Sequence, residues 1–385
     1  MADGTLPPVS SYPPSSAPQT TLRQRLAGLR GPAVPPRPLD ARALAALAAN
    51  PGCGRRALLD GAGVDKTVLA SALGSPAPFG QSQFAIVRGN SFEAKIKGDG
   101  GSELLRLVHE HLGAGSEPPG RGALVPDLTA AGPEGRAART ALALREATAA
   151  GRDTGAWTLL DHPMLALEVA GSPAYLEPDA VVVHPDGRWT VVEIKSFPMI
   201  DGSADAAKVG AAARQAAVYV LALEKTAAKL AGAEVGHTVL LVCPKDFSNL
   251  PTAAPVDIRR EHSVTRRQLD RLTRVEELAA ALPDGLSFDP ARTAEELAEA
   301  VSAVDAAYAP ECLAACELAF HCREQARAAD EVTALGRSVR GELGALTTVG
   351  AALAAAAGHG PADDPTAEAL RRAARLRSEA LEASG

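Results

Sequence analysis

No apolar run in this sequence approaches the length of a membrane span, so a transmembrane helix is excluded on length alone. The opening MADGTLPPVSSYPPSSAPQTT lacks a basic region followed by an apolar stretch, which argues against a secretory signal and makes the cytoplasm the expected compartment. Its Pro and Ser content reads instead as a disordered tail over 1–38. Cysteine is scarce: five in 385 residues are too few for a disulfide scaffold. Positive charge is in deficit, with 39 Lys and Arg against 46 Asp and Glu. The resulting net charge of −7 repels phosphate, so nucleic-acid binding, if any, needs a local basic surface. No internal repeat is visible. Gly61 to Thr67 imitates a phosphate-binding loop but has Asp65 where a glycine must precede the lysine, so the chain has no nucleotide-driven motor of its own.

What is present is a large apolar fraction, 46%, enough for a sizeable core. Periodicity predicts helices over 39–50, through 113 with a break at 98–102, and near 136–150. Strands follow at 164–170, 180–183 and 189–195, then a helix over 208–230 and a strand at 237–243. Helices are expected at 263–282 and 294–307, and Ala-rich helical sequence runs on to the end with a break at 358–365. His109 and His111, at i and i+2 on a helix, point apart and read as surface residues.

The most informative segment is YLEPDAVVVHPDGRWTVVEIKS. Two β-branched runs flank Pro185-Asp186-Gly187, which reads as the turn of a β-hairpin. Loop length decides which side chains meet. A two-residue loop would put Asp179 and Glu193 on opposite faces, because side chains alternate along a strand. A three-residue loop, with Pro185 starting a type I turn and Gly187 in the left-handed region, sets Asp179 opposite Glu193 and leaves Lys195 on the same face.

Pro178-Asp179 with Glu193-Ile194-Lys195 resembles the PD-(D/E)xK signature of restriction-type and RecB-like nucleases. The helix that follows carries Gln215 and Tyr219 at i, i+4, similar to the QxxxY motif of RecB-like enzymes. Upstream, RGNSFE resembles the family's first motif and offers Glu93 as a further metal ligand. The resemblance implies an α/β, restriction-endonuclease-like αβββαβ core with a mixed sheet, surrounded by helices and spanning 39–326. A helical extension over 327–385 follows. It also implies Mg2+ or Mn2+ on Glu93, Asp179, Glu193 and the Ile194 carbonyl, all hard oxygen ligands. Lys195 would orient the attacking water and neutralise the phosphorane charge, while Gln215 and Tyr219 would position the scissile strand or the lysine.

Three of the five cysteines crowd into PECLAACELAFHCREQA, where clustered thiols suit a soft metal. A fourth ligand is needed: Cys53, at a helix start beside Arg55 and Arg56, or Cys243, which ends an apolar strand and reads as core. The order Cys53, then Cys312, Cys316 and Cys322, resembles the split cysteines that bind a 4Fe-4S cluster in AddB-type nucleases and CRISPR-associated exonucleases. The spacing C-x3-C-x5-C departs from the commoner C-x2-C-x5-C, and Zn2+ is the chemical alternative.

Arg260, Arg267, Arg271 and Arg274 follow roughly helical spacing and form a candidate phosphate-contacting stripe. The implied activity is metal-dependent hydrolysis of DNA phosphodiesters, single-stranded or end-processing, with RNA not excluded and no membrane partner. A helicase or another defence or repair subunit is the implied partner. The competing expectation is a non-catalytic iron-sulfur or zinc-bound nucleic-acid-binding scaffold.

Overall fold

Where a strand is covered on both faces its sequence runs apolar without alternation, and four short segments here do so. They are β1 (Thr158–Asp161), β4 (Ala180–Val183), β5 (Arg188–Ile194) and β7 (Thr238–Pro244), each buried over most of its length. The computed structural model describes residues 21–76, 83–113, 123–169, 172–246, 248–270, 274–309, 312–313, 315–330, 332, 337–360 and 363–383. Its main sheet is ordered β1-β4-β5-β7-β8, with β6 (Glu234–Val235) also beside β5. The β5–β6 and β5–β7 pairs are parallel and the others antiparallel, which makes the sheet mixed. The parallel β5–β7 step needs a crossover, supplied by the helix Ala206–Ala227.

The fold is therefore α/β with helices on both faces. One face buries Val181, Val183, Trp189 and Val191 against the helices Ala41–Ala49, Gly132–Thr154 and Ala206–Ala227. The other buries Val182, Val192 and Ile194 against Phe92, Ile96, Leu104 and Val108. Those four lie on Gln83–Leu112, which leaves helical geometry at Gly98–Gly101, as its glycines predict. A separate helical core joins segments from before and after the sheet, 22–73 and 275–322. Leu58, Leu59 and Leu69 pack there with Val275, Leu297 and Val301. No helix among the described residues is long and apolar enough to cross a membrane.

Several expectations need correction. The segment 164–170 is a strand, β2 (Leu165–Val169), but it pairs only with β3 (Ser172–Leu176) in a two-stranded sheet. Its alternating burial marks a strand with one covered face, whereas the less conspicuous β1 is buried at its first three positions and takes the place beside β4. The strand β8 (Pro251–Asp257) is masked in sequence by two prolines, which its place at the end of the strand order accommodates. The expected tail over 1–38 is corrected within it: Leu22–Arg30 form a helix with a Thr21/Gln24 capping box at its start and Leu29 buried, while 1–20 lie outside the described residues. The helix expected over 263–282 is two, Arg259–Leu269 and Val275–Ala280.

Candidate active site

The hairpin turns through three residues. Ala180 pairs with Val192 and Val183 with Trp189, so Asp179 falls opposite Glu193 one step beyond the ladder. The His184 N–H donates to the Arg188 carbonyl (2.8 Å) and the Gly187 N–H to the His184 carbonyl (3.0 Å). Gly187 has φ +87°. A Cβ on it would come within 2.2 Å of the Gly232 carbonyl oxygen, so both its conformation and its surroundings require glycine.

Asp179, Glu193 and Lys195 consequently meet at the end of the sheet, on the face covered by Ala206–Ala227. The Asp179 Oδ2 accepts a hydrogen bond from the Ile194 N–H (2.7 Å) and lies 3.8 Å from the Lys195 Nζ. Lys195 presses directly against Glu193. Glu193 is 1% exposed. Apart from that ion contact, both of its oxygens are buried without a hydrogen-bond partner of good geometry. Burial drives its pKa up to about 7, against the pull of the Lys195 ammonium and with the push of Asp179. Burial acts in the opposite sense on Lys195, but Glu193 and Asp179 outweigh it and hold the ammonium above its ordinary value. Ile194 buries its side chain in the core, so only its backbone is available to a ligand.

Gln215 and Tyr219 sit one helical turn apart on Ala206–Ala227. The Gln215 Nε2–H donates to the Tyr219 hydroxyl (2.9 Å), which donates to the Glu177 carbonyl (3.1 Å). Together they clamp the segment that presents Asp179. Burial raises the Tyr219 pKa, so the phenol remains a donor.

Glu93 arrives from the helix on the other face and reaches the same end of the sheet through a lysine. The Lys97 Nζ lies 2.5 Å from Glu93 Oε1, 2.6 Å from Asp161 Oδ1 and 2.7 Å from the Asp179 carbonyl. His162 Nε2 is 3.0 Å from the same Glu93 oxygen. The His162 hydrogen bond and the Lys97 charge hold the Glu93 carboxyl down at about 2, and Glu93 in turn raises His162. Glu93, Asp179 and Glu193 do not close to within 4.8 Å of one another as a group. Lys97 links Glu93 to the Asp179 backbone rather than to the Asp179 and Glu193 carboxylates. Lys97, Asp161 and His162 were absent from the sequence reading. The available signals were the i, i+4 spacing of Glu93 and Lys97 and the polar Asp161-His162-Pro163 that ends β1. His162 has φ +45°, a conformation that non-glycine residues take up at a cost.

The four singled-out cysteines come from opposite ends of the chain to one place. Cys53 caps the helix Gly54–Ala62. The Asn50 Nδ2–H approaches the Cys312 Sγ at 3.4 Å and the Arg55 Nη1–H the Cys322 Sγ at 3.1 Å. All are free thiols, and no three lie within 4.8 Å of one another. Burial raises the pKa of Cys312, Cys316 and Cys322, with Cys316 reaching about 12, while Arg55 or Arg56 opposes the rise at each. Cys243 is fully buried on β7, away from this group.

Arg260 and Arg267 lie on one helix and Arg274 at the start of another, so the described arginines do not share one helical stripe. Arg260 and Arg267 are exposed on Arg259–Leu269, whose opposite face buries His262, Thr265 and Leu269. The helix stops at Leu269, and Arg274 caps the next one beside Glu276. Arg271 lies outside the described residues.

No family model matches the chain, and no curated protein does. Among solved structures, a candidate exonuclease from Eubacterium rectale aligns with 69% of this chain and 88% of its own at 10% identity and a TM-score of 0.31. The protein SSO0001 aligns with 56% of this chain and 85% of its own at 12% identity and a TM-score of 0.19. Likenesses at these scores bear no weight below.

Proposed function

We propose that this chain is a metal-dependent nuclease of the RecB-like PD-(D/E)xK type, hydrolysing DNA phosphodiesters at the Asp179–Glu193–Lys195 site. The observation that carries the reading is Glu193: a fully buried carboxylate whose Oε1 has no partner and whose Oε2 meets only the Lys195 ammonium among the described residues, facing a second acid across a hairpin whose loop length aligns them. One ammonium shared by the two acids leaves a net negative charge at the end of the sheet, which a further cation would balance. Asp179, Glu193, the Ile194 carbonyl and Glu93 are hard oxygen donors of the kind that Mg2+ or Mn2+ takes. A divalent ion held there supplies a water of lowered pKa and positive charge beside the phosphate.

The chain's own groups have separate tasks. Lys195 is fully protonated at neutral pH, so it acts as a cation and hydrogen-bond donor toward the phosphoryl oxygens rather than as a base. Tyr219 and Gln215 hold the Glu177 carbonyl and thereby the position of Asp179. A water attacks phosphorus, one P–O ester bond breaks and the leaving oxygen takes up a proton.

For the cysteines we propose a 4Fe-4S cluster, with Zn2+ the alternative. Tetrahedral zinc with bonds of about 2.3 Å sets its sulfurs about 3.8 Å apart. Arg55 supports the cluster: it is 5% exposed, and among the described residues its guanidinium meets the Val304 carbonyl, Cys322 and Gln325, with no carboxylate hydrogen-bonded to it. A thiolate-bound cluster supplies the negative charge that a buried arginine needs.

The deciding experiment incubates purified protein with labelled single-stranded DNA and Mn2+. Degradation that stops with EDTA and is missing in Glu193→Ala is expected. Binding without cleavage under every metal condition would instead establish the scaffold reading.

A further inference from the structure

A second group of metal-ligating side chains lies at the far end of β7. Glu224 projects from the helix Ala206–Ala227, His237 precedes β7, and His262 lies on the helix Arg259–Leu269. His237 Nε2 is 2.8 Å from Glu224 Oε1 and His262 Nε2 is 3.0 Å from Glu224 Oε2. All three ligand atoms fall within 4.8 Å of one another, and among the described residues they are the one such trio of His, Cys, Asp or Glu. The two imidazole rings are tilted at 39° to one another, with centroids 4.7 Å apart. Val242, whose carbonyl accepts the Lys195 N–H, is five residues further along the strand, about 16 Å at 3.3 Å per residue. The trio is thus separate from the hairpin site and from the cysteines.

The geometry points to a binding site for a divalent transition-metal ion of the zinc class, ligated by Glu224, His237 and His262 and pinning the arginine-bearing helix to the sheet. Two imidazole nitrogens and one carboxylate are the donor set that borderline ions prefer over Mg2+ or Ca2+. Bonds of about 2.0–2.1 Å in a tetrahedron separate ligand atoms by roughly 3.4 Å, inside the 4.8 Å that already encloses the three ligand atoms. The His262 side chain is only 3% exposed and aims its Nε2 at the carboxylate, which fixes one ligand rigidly. Glu224 and His237 are 30% and 39% exposed, which leaves the ion an entry path and a coordination position toward solvent. Without an ion, both rings must place a proton on Nε2 to satisfy one carboxylate, and protonating both rings fully would set two cations 4.7 Å apart. One metal replaces both shared protons.

Purified full-length protein, stripped of loosely held ions, would be titrated with Zn2+ against a chromophoric chelator. The cysteine-bound group is left in place throughout. We expect one Zn2+ per chain in the wild type, weakened by about a hundredfold or more in His237→Gln and Glu224→Gln, both partly exposed positions chosen so that the fold survives. Glu193→Gln should retain this Zn2+, which separates it from the hairpin site. Substituting Co2+ should give a visible spectrum with no thiolate charge-transfer band. Wild type failing to take up Zn2+, or His237→Gln and Glu224→Gln taking it up as tightly as wild type, overturns the proposal and leaves the trio as a hydrogen-bonded network.

Discussion

Removing the carboxylate charge of Glu193 without changing its size should alter how stability depends on pH and metal. In the metal-free protein burial lifts this group from its ordinary 4.5 to about 7. Between those values the folded chain holds a proton that the unfolded chain has lost. Stability is therefore highest below 4.5, falls as pH rises through the window and levels off above about 7. The full interval corresponds to about 3 kcal/mol. For 385 residues unfolding as one unit, that is about 4 °C in Tm. A divalent ion needs the ionised form, so its stabilisation should grow across the same window, reaching about 2.7 kcal/mol at a hundred times its Kd. His184, which burial holds down to about 4, opposes the trend by losing stability toward acid. The quantity to read is hence the difference between wild type and Glu193→Gln, by circular-dichroism melting from pH 5 to 8 with and without Mn2+. The variant should show a shallower decline with pH and no Mn2+ increment. Equal slopes and equal increments in both proteins would refute the reasoning about this site.

Four further outcomes follow from the same geometry. Lys195→Ala should lose cleavage while keeping the fold and most DNA binding, measured by single-turnover degradation beside a gel-shift assay. Ala at Cys53, Cys312, Cys316 or Cys322 should bleach the brown absorbance of anaerobically purified protein, whereas Cys243→Ala should keep it; colourless wild type with stoichiometric zinc would transfer the assignment to that metal. Gly187→Ala should cost about 2 kcal/mol or more in denaturant unfolding, because an Ala there is strained in φ and meets the Gly232 carbonyl. Charge reversal at Arg260 and Arg267 should weaken DNA binding alike for all sequences and flatten its salt dependence, and an unchanged slope would return them to ordinary surface.

The hairpin register was legible because loop length and side-chain alternation leave one face-sharing solution, and Gly187 advertises the turn. Gln215 and Tyr219 were legible as neighbours for the same kind of reason: a fixed helical period. Strand choice was harder. Leu165–Val169 is the longer and more regular run, yet burial on two faces, which singles out Thr158–Leu160, is a tertiary property. Lys97 and His162 escaped because their meeting depends on a helix reaching around the end of the sheet, a contact with no local period. The arginine spacing misled in the opposite direction, since a helical period means nothing once the helix has stopped at Leu269. The closure of Cys53 on the late cysteines rested on resemblance, but here it accompanies an ordinary apolar core that joins the same two segments.

That two-segment core has a consequence during synthesis. Leu58 and Leu59 emerge from the ribosome some 240 residues before Leu297 and Val301, which bury them. At about 5–20 residues per second the early helices spend roughly 12–50 s without their partners. Over that interval their apolar faces are open to chaperones and to neighbouring nascent chains. A segment made early thus becomes one of the last to be secured.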